Sequence, residues 1–178
     1  MKLTNGLVLF FLLISSYAAL AQPDWADTPY LFKSNDRSIK QALLDFSFNM
    51  DTPLELPEDN LNGVKPIDLP EMTALEYLNY LCRLARATWY FDGYKLYIIK
   101  QDDIKNEILS IENISYRKLV SLLKELEVYD SKFTIKHHPL ESVIYIRGPD
   151  IYIKSINKIV KKYRQKEKNK INIVYGNN

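Results

Sequence analysis

The chain has 178 residues, a formal net charge of +2 and 47% hydrophobic residues, a composition typical of a globular protein that excludes a fully disordered one. Its single cysteine excludes an internal disulfide bond, and its five scattered glycines form no phosphate-binding loop. Residues 22–100 carry eight basic and twelve acidic side chains whereas residues 101–178 carry fifteen and ten, which indicates two modules of opposite charge.

Residues 1–21 have the pattern of a secretory signal peptide. Lys2 precedes an apolar run, LVLFFLLI (7–14), that is too short to span a bilayer, and small residues follow at Ala19 and Ala21. A buried N-terminal helix is the alternative, but it would need a polar, capped flank. The sequence therefore predicts export through the inner membrane and a mature chain that begins near Gln22.

Two capping boxes begin predicted helices within residues 22–101, the first predicted domain. Ser38 and Thr73 stand three residues before Gln41 and Glu76, the spacing at which the two side chains bond reciprocally to the backbone. The apolar stripes that follow are Ile39, Ala42, Leu43 and Phe46 in the first helix, and Leu75, Leu78, Leu81, Cys82 and Ala85 in the second. Strands are predicted at PYLFK (29–33), TPLEL (52–56) and GVKPIDL (63–69). Cys82 is interpreted as a small buried hydrophobe, with a reactive thiol as the alternative.

The stretch WYFDGYKLYII (89–99) predicts a β-hairpin with Asp92-Gly93 as a two-residue loop. This loop would pair Phe91 with Tyr94, Trp89 with Leu96 and Tyr90 with Lys95. One face, which we expect to cover the two helices, carries Trp89, Phe91, Tyr94, Leu96 and Ile98. The other face carries Thr88, Tyr90, Lys95, Tyr97 and Ile99, and is predicted to meet water or a partner, with Tyr90 and Tyr97 as the partner-contact candidates. A stacking platform for bases or sugars is the alternative.

Residues 102–165 predict a second domain with the order β-α-β-β-α, an α+β unit. The strands are EILSIE (107–112), KFTIKHH (132–138) and SVIYIRG (142–148), and helices are predicted from Tyr116 to Val128 and from Pro149 onward. Residues 166–178 are predicted to be a basic linker followed by INIVY (171–175), the strand that would begin a further segment.

The sequence offers little catalytic chemistry. The two histidines, His137 and His138, are adjacent in a predicted strand and would point to opposite faces, so they cannot jointly bind one metal ion unaided. Glu58 and Asp59 lie in a proline-flanked turn. We therefore expect no catalytic, cofactor-binding or metal residues and no enzyme activity; a small hydrolase that uses His137 or His138 is the weaker alternative.

The order of these segments resembles the N-terminal periplasmic domains of secretins, most closely those of type III secretion systems. The segments similar to the first domain are YLFKSNDRSIKQALLDFSFNMDTPLEL (30–56), GVKPIDLP (63–70), TALEYLNYLCRLARATW (73–89) and YFDGYKLYIIK (90–100). IYIRGPDIYIKSINKIVKKY (144–163) resembles the next secretin domain, which has a KH-like fold. The resemblance extends from about Trp25 to Tyr163.

This resemblance implies a structural role in protein secretion. Such domains form stacked periplasmic rings beneath an outer-membrane pore, so the implied partners are the inner-membrane ring protein and further copies of the chain. It implies no cofactor, no nucleic acid and no small-molecule substrate, and the KH-like unit lacks the GXXG loop that clamps RNA. Secretins continue into a barrel, which we expect this short form to lack. The alternative is a standalone periplasmic protein-binding or signalling module.

Overall fold

The computed structural model describes residues 22–31, 36–58, 61, 63–138 and 142–174, with side chains as far as Lys166. The predicted signal peptide, residues 1–21, lies outside these ranges. Within the described part of the chain, no helix has both the length and the hydrophobicity needed to cross a membrane. The fold is α+β, as predicted, with two hydrophobic clusters that we use to define a first and a second unit.

The first unit contains two helices and two small sheets. Its elements are β1 (Pro29–Tyr30), α1 (Ile39–Asn49), β2 (Leu54–Glu55), β3 (Met72–Thr73), α2 (Ala74–Leu84), β4 (Ala87–Phe91) and β5 (Leu96–Lys100). β1 pairs with β3, and β5 lies between β2 and β4, parallel to the first and antiparallel to the second. Both predicted capping boxes are present, since the Ser38 and Thr73 hydroxyls accept from the amides of Gln41 and Glu76.

The second unit has the predicted order β-α-β-β-α. After a short 3-10 turn at Gln101–Asp103 come β6 (Lys105–Ser110), α3 (Tyr116–Glu125), β7 (Thr134–His138), β8 (Val143–Gly148) and α4 (Asp150–Val174). β8 is central and antiparallel to both neighbours. Both helices pack on one face of this sheet, where Leu119, Leu123, Ile144, Ile146 and Ile156 are buried. The KH-like assignment itself stays a prediction.

Two predicted strands are wrong. Residues 63–69 form no strand because Pro66 lacks an amide donor and the apolar side chains of this segment, Val64 and Ile67, are exposed. Residues 171–174 belong to α4. Between Tyr163 and Ile171 the sequence has neither glycine nor proline, so nothing local ends the helix before the predicted strand begins.

We predict that Thr73→Ala lowers the free energy of unfolding by about 1 kcal/mol, because the amide of Glu76 loses its hydroxyl acceptor at the start of α2. Urea unfolding measures the change. Ser121→Ala is the control, since this hydroxyl bonds the exposed Glu125 side chain within α3, and equal effects of the two substitutions would contradict the prediction.

Candidate protein-interaction site

The aromatic hairpin of β4 and β5 turns one residue later than predicted. The Asp92 carboxylate accepts hydrogen bonds from the amides of Tyr94 (3.0 Å) and Lys95 (2.8 Å), and the Asp92 amide donates to the Lys95 carbonyl (3.3 Å). Gly93, with φ of +92°, and Tyr94 therefore become the central turn residues. Phe91 consequently pairs with Leu96, and not with Tyr94 as predicted.

The inner face of the hairpin seals the first core. Trp89, Leu96 and Ile98 are buried there, and the Trp89 indole donates a 2.8 Å hydrogen bond to the Asn79 side chain on α2. Their predicted place in the core is confirmed. Tyr94 was predicted to join them but is 72% exposed, because the turn carries its side chain away from the sheet.

The outer face of the hairpin is covered by the second unit. Tyr90 is 1% exposed, and its ring lies 5.5 Å from Tyr152 and 6.0 Å from Phe133 between ring centroids. Tyr90 therefore contacts this chain's own second unit, which corrects the prediction that this residue meets water or a separate partner. Aromatic pairs of this kind contribute about 0.5–1.5 kcal/mol each beyond the area that they bury, so these three rings stabilise the junction. Tyr97 stacks 6.3 Å from Tyr90 and is only half-buried.

A lysine strengthens the same junction. The Lys132 ammonium lies 3.0 Å from the centroid of the Trp89 ring and 2.9 Å from the Asp130 carboxylate. Burial lowers the pKa of Lys132, and Asp130 opposes that shift. Nothing in the sequence spacing of Lys132 and Trp89 indicated this cation–π contact.

Cys82 lies near Lys132 and is 3% exposed. Burial raises the pKa of its thiol to about 12, with Lys132 acting in the opposite direction. A nucleophilic cysteine needs an accessible thiolate. The structure therefore agrees with a buried small hydrophobe and not with a reactive thiol.

A cleft of about 390 Å³ lies where β2 and β5 face the start of α4. Its charged side chains are Glu55, Asp103, Lys105, Asp150 and Lys154, and Tyr97 also lines it. Lys105 and Lys154 lie 3.4 Å and 2.5 Å from Asp150 and lower the pKa of its carboxyl, chiefly through the hydrogen bond from Lys154. The lysines favour the ionised form of Asp150, one of three acids in the lining, so this part of the cleft presents paired charges that suit polar contact with a protein.

The two histidines lie on opposite faces of β7, as predicted. His137 pairs with the buried Ile144 and stacks on Tyr116 at 5.1 Å, whereas His138 pairs with Val143 and is exposed. Among the residues that the structure describes, no three His, Cys, Asp or Glu side chains group as metal ligands.

Two exposed apolar patches were missed at the sequence level. On α1, Leu44 and Phe48 are 48% and 86% exposed; on the open sheet of the second unit, Ile108 and Tyr145 are 69% and 36% exposed. For the α1 patch the sequence pattern contained the information, because Leu44 and Phe48 are apolar but fall outside the stripe of α1 that is buried. Exposed large apolar side chains in pairs indicate contact surfaces.

We predict that Tyr90→Ala lowers the free energy of unfolding by about 3–5 kcal/mol, because the substitution leaves a cavity between the two units. It should also increase the radius of gyration measured by small-angle scattering. The matched control is Tyr94→Ala at the exposed turn, for which the expected change is within about 0.5 kcal/mol. Equal effects at the two positions would show that the junction is not stabilising.

We predict that Cys82 reacts with a thiol reagent at least about 100-fold more slowly in the folded than in the urea-unfolded chain, because burial raises its pKa. The stability contributed by the neutral thiol is fully present below its ordinary pKa and is lost as the pH rises towards about 12. A Tyr94→Cys chain provides an exposed thiol as control; similar rates for both thiols would contradict the prediction.

No protein-family model matches the chain. Its curated relatives include the nodulation protein NolW of Rhizobium fredii, 21% identical over 126 residues. They also include the type 3 secretion system secretins of Xanthomonas euvesicatoria, 24% identical over 156 residues, and Shigella flexneri, 31% identical over 81 residues. These alignments cover 71%, 86% and 46% of this chain but only 53%, 25% and 14% of the relatives. The chain thus spans about half of NolW and a quarter or less of the secretins.

Two solved Salmonella structures share the fold. One is the SPI-1 type III secretion injectisome basal body with InvG, PrgH and PrgK, which matches with a TM-score of 0.62 at 18% identity over 76% of this chain and 28% of that chain. The other, a focussed refinement of InvGN0N1:SpaPQR:PrgHK, matches with a TM-score of 0.63 at 16% identity over 78% and 95%. This chain is thus similar in sequence to NolW and to type 3 secretion system secretins, and it shares its fold with chains of the two Salmonella injectisome structures.

Proposed function

We propose that this chain forms the N-terminal ring portion of a type III secretion secretin and docks onto the inner-membrane ring of that apparatus. The observation that carries the proposal is the match to InvGN0N1, where 95% of that chain aligns with both units of this one. That structure also contains PrgH and PrgK. Proteins of the PrgH and PrgK kind are therefore the proposed partners, together with further copies of this chain.

The proposed role is structural and non-catalytic. It is supported by the names of several relatives, which are type 3 secretion system secretins, and by the way Tyr90 joins the two units. A ring component must keep its contact surfaces at a constant spacing, and a buried aromatic junction restricts relative motion of the units. We place the chain in the periplasm, associated with the outer membrane when it is joined to a secretin barrel; the signal-peptide pattern of residues 1–21 supports export.

Individual contacts in such a ring are expected to be weak. Each unit is small, and the assembled ring multiplies modest interfaces through effective concentration. We therefore expect the isolated chain to be mostly monomeric in analytical ultracentrifugation at low concentration and to self-associate weakly as concentration rises.

We predict that the affinity-tagged chain, expressed in its own cells and captured after mild cross-linking of the envelope, recovers an inner-membrane ring protein of the secretion apparatus. Mass spectrometry identifies the partner. A tagged chain with Tyr90→Ala is the comparison, because loosening the junction should reduce recovery several-fold.

NolW favours a second candidate function, a periplasmic protein-binding module, because this relative is named a nodulation protein and aligns with 71% of this chain. Recovery of a different envelope receptor, with no ring protein of the secretion apparatus, would support that module and contradict the ring proposal.

A further inference from the structure

Among the exposed apolar side chains of the described residues, two pairs lie on regular elements, one on α1 and one on the sheet of the second unit, and the two patches differ in shape. The α1 patch is a convex ridge, Leu44 and Phe48, one helical turn apart on the side opposite the buried stripe. The sheet patch is the open face of β6, β8 and β7, where Ile108, Tyr145 and Lys136 form one cross-strand row. A ridge of side chains on a helix suits packing against an open sheet face.

The sheet patch is held in place and is basic. The Tyr145 hydroxyl donates a 2.7 Å hydrogen bond to the Asn106 side chain, which orients the ring on the sheet. The rows on either side of it carry Arg147 and His138. Lys136, His138 and Arg147 are all exposed, and none has a salt bridge among the described residues. An apolar centre with an arginine at its edge is the composition of a protein-contact surface.

At the end where Phe48 lies, the charge around the α1 patch is complementary to that of the basic sheet patch. The last turn of α1 has no basic residue, so the partial negative charge of the helix C-terminus is not neutralised there. Asp51 follows, exposed and without a salt bridge among the described residues. Lys40 lies at the other end of the helix, two turns from Phe48. The first unit is also net acidic and the second net basic.

Resting on the proposed function, we propose that the α1 patch of one copy docks on the sheet patch of the next copy, with Phe48 against Ile108 and Tyr145. The contact joins unlike surfaces. A row of copies therefore keeps one free α1 patch at one end and one free sheet patch at the other, and such head-to-tail contacts close into a ring when the rotation per copy allows it. Because both patches are small, the contact is expected to be weak between isolated chains.

Cross-linking between copies tests this contact. One chain carries Phe48→Cys and a second, tagged chain carries Ile108→Cys. The two chains are mixed at about a millimolar, the effective concentration that a short tether provides, and are treated with a short bismaleimide. Cys82 stays in place because it is buried, and the parent chain measures the background. We expect this pair to give several-fold more mixed dimer than a Tyr94→Cys chain mixed with the Ile108→Cys chain. Tyr94→Cys is the matched control, because Tyr94 is comparably exposed and lies in the same unit as Phe48.

A charge reversal supplies the second measurement. Lys136→Glu in the Ile108→Cys chain should reduce the mixed dimer several-fold, whereas Lys118→Glu on the exposed side of α3 should leave it unchanged. The proposal is overturned if the Phe48 and Tyr94 mixtures give equal yields. It is also overturned if Phe48→Cys chains couple mainly to one another, which would indicate a symmetric contact. If these yields are equal but the tagged chain still recovers the inner-membrane ring protein, the proposed function stands and only this contact is wrong.

Discussion

The alternation of side chains along one hairpin holds this molecule together. Successive residues of a strand point to opposite faces, so β4 and β5 place Trp89, Leu96 and Ile98 in the first core while Tyr90 enters the second. A single pair of strands thus serves two cores. Tyr90 is surrounded by Tyr152 and Phe133, and Lys132 lies on the other face of the hairpin against Trp89. The aromatic richness of this segment is explained by its two sets of neighbours.

This arrangement has consequences for function. Two units that shared only a flexible linker would present their surfaces at variable distances, which suits capture of a ligand but not the repeated spacing of a ring. Here the relative position of the units depends on the buried rings around Tyr90 and on the cation–π contact of Lys132 with Trp89, and both resist local opening. The cleft between the units is lined by ion pairs around Asp150 and adds polar surface on one side of the junction.

Buried titratable groups and exposed apolar rings differ in what they contribute among the described residues. The titratable groups with raised pKa values, such as Tyr90 and Cys82, owe the shift first to burial, which is the signature of a core and not of a poised acid or base. By contrast, Phe48 is 86% exposed on the outer side of α1, where an apolar ring gains nothing in the isolated chain. Weak, directional contacts made by such side chains become significant when many copies are held side by side.

Local chemistry in the sequence determined the helix starts, the apolar stripes, the order of elements in the second unit and the burial of Cys82, because capping and periodicity act over a few residues. The sequence also identified the hairpin and its inner face. Two local features were predicted wrongly: the Asp92 carboxylate accepts from amides two and three residues on and so moves the turn by one residue, and no helix breaker ends α4 before Val174. Only the tertiary structure decided that the second unit covers Tyr90. Leu44, Phe48 and Ile108 are likewise exposed because no described element packs against their faces. Periodicity shows which residues share a face, but only packing between distant segments determines whether that face is covered.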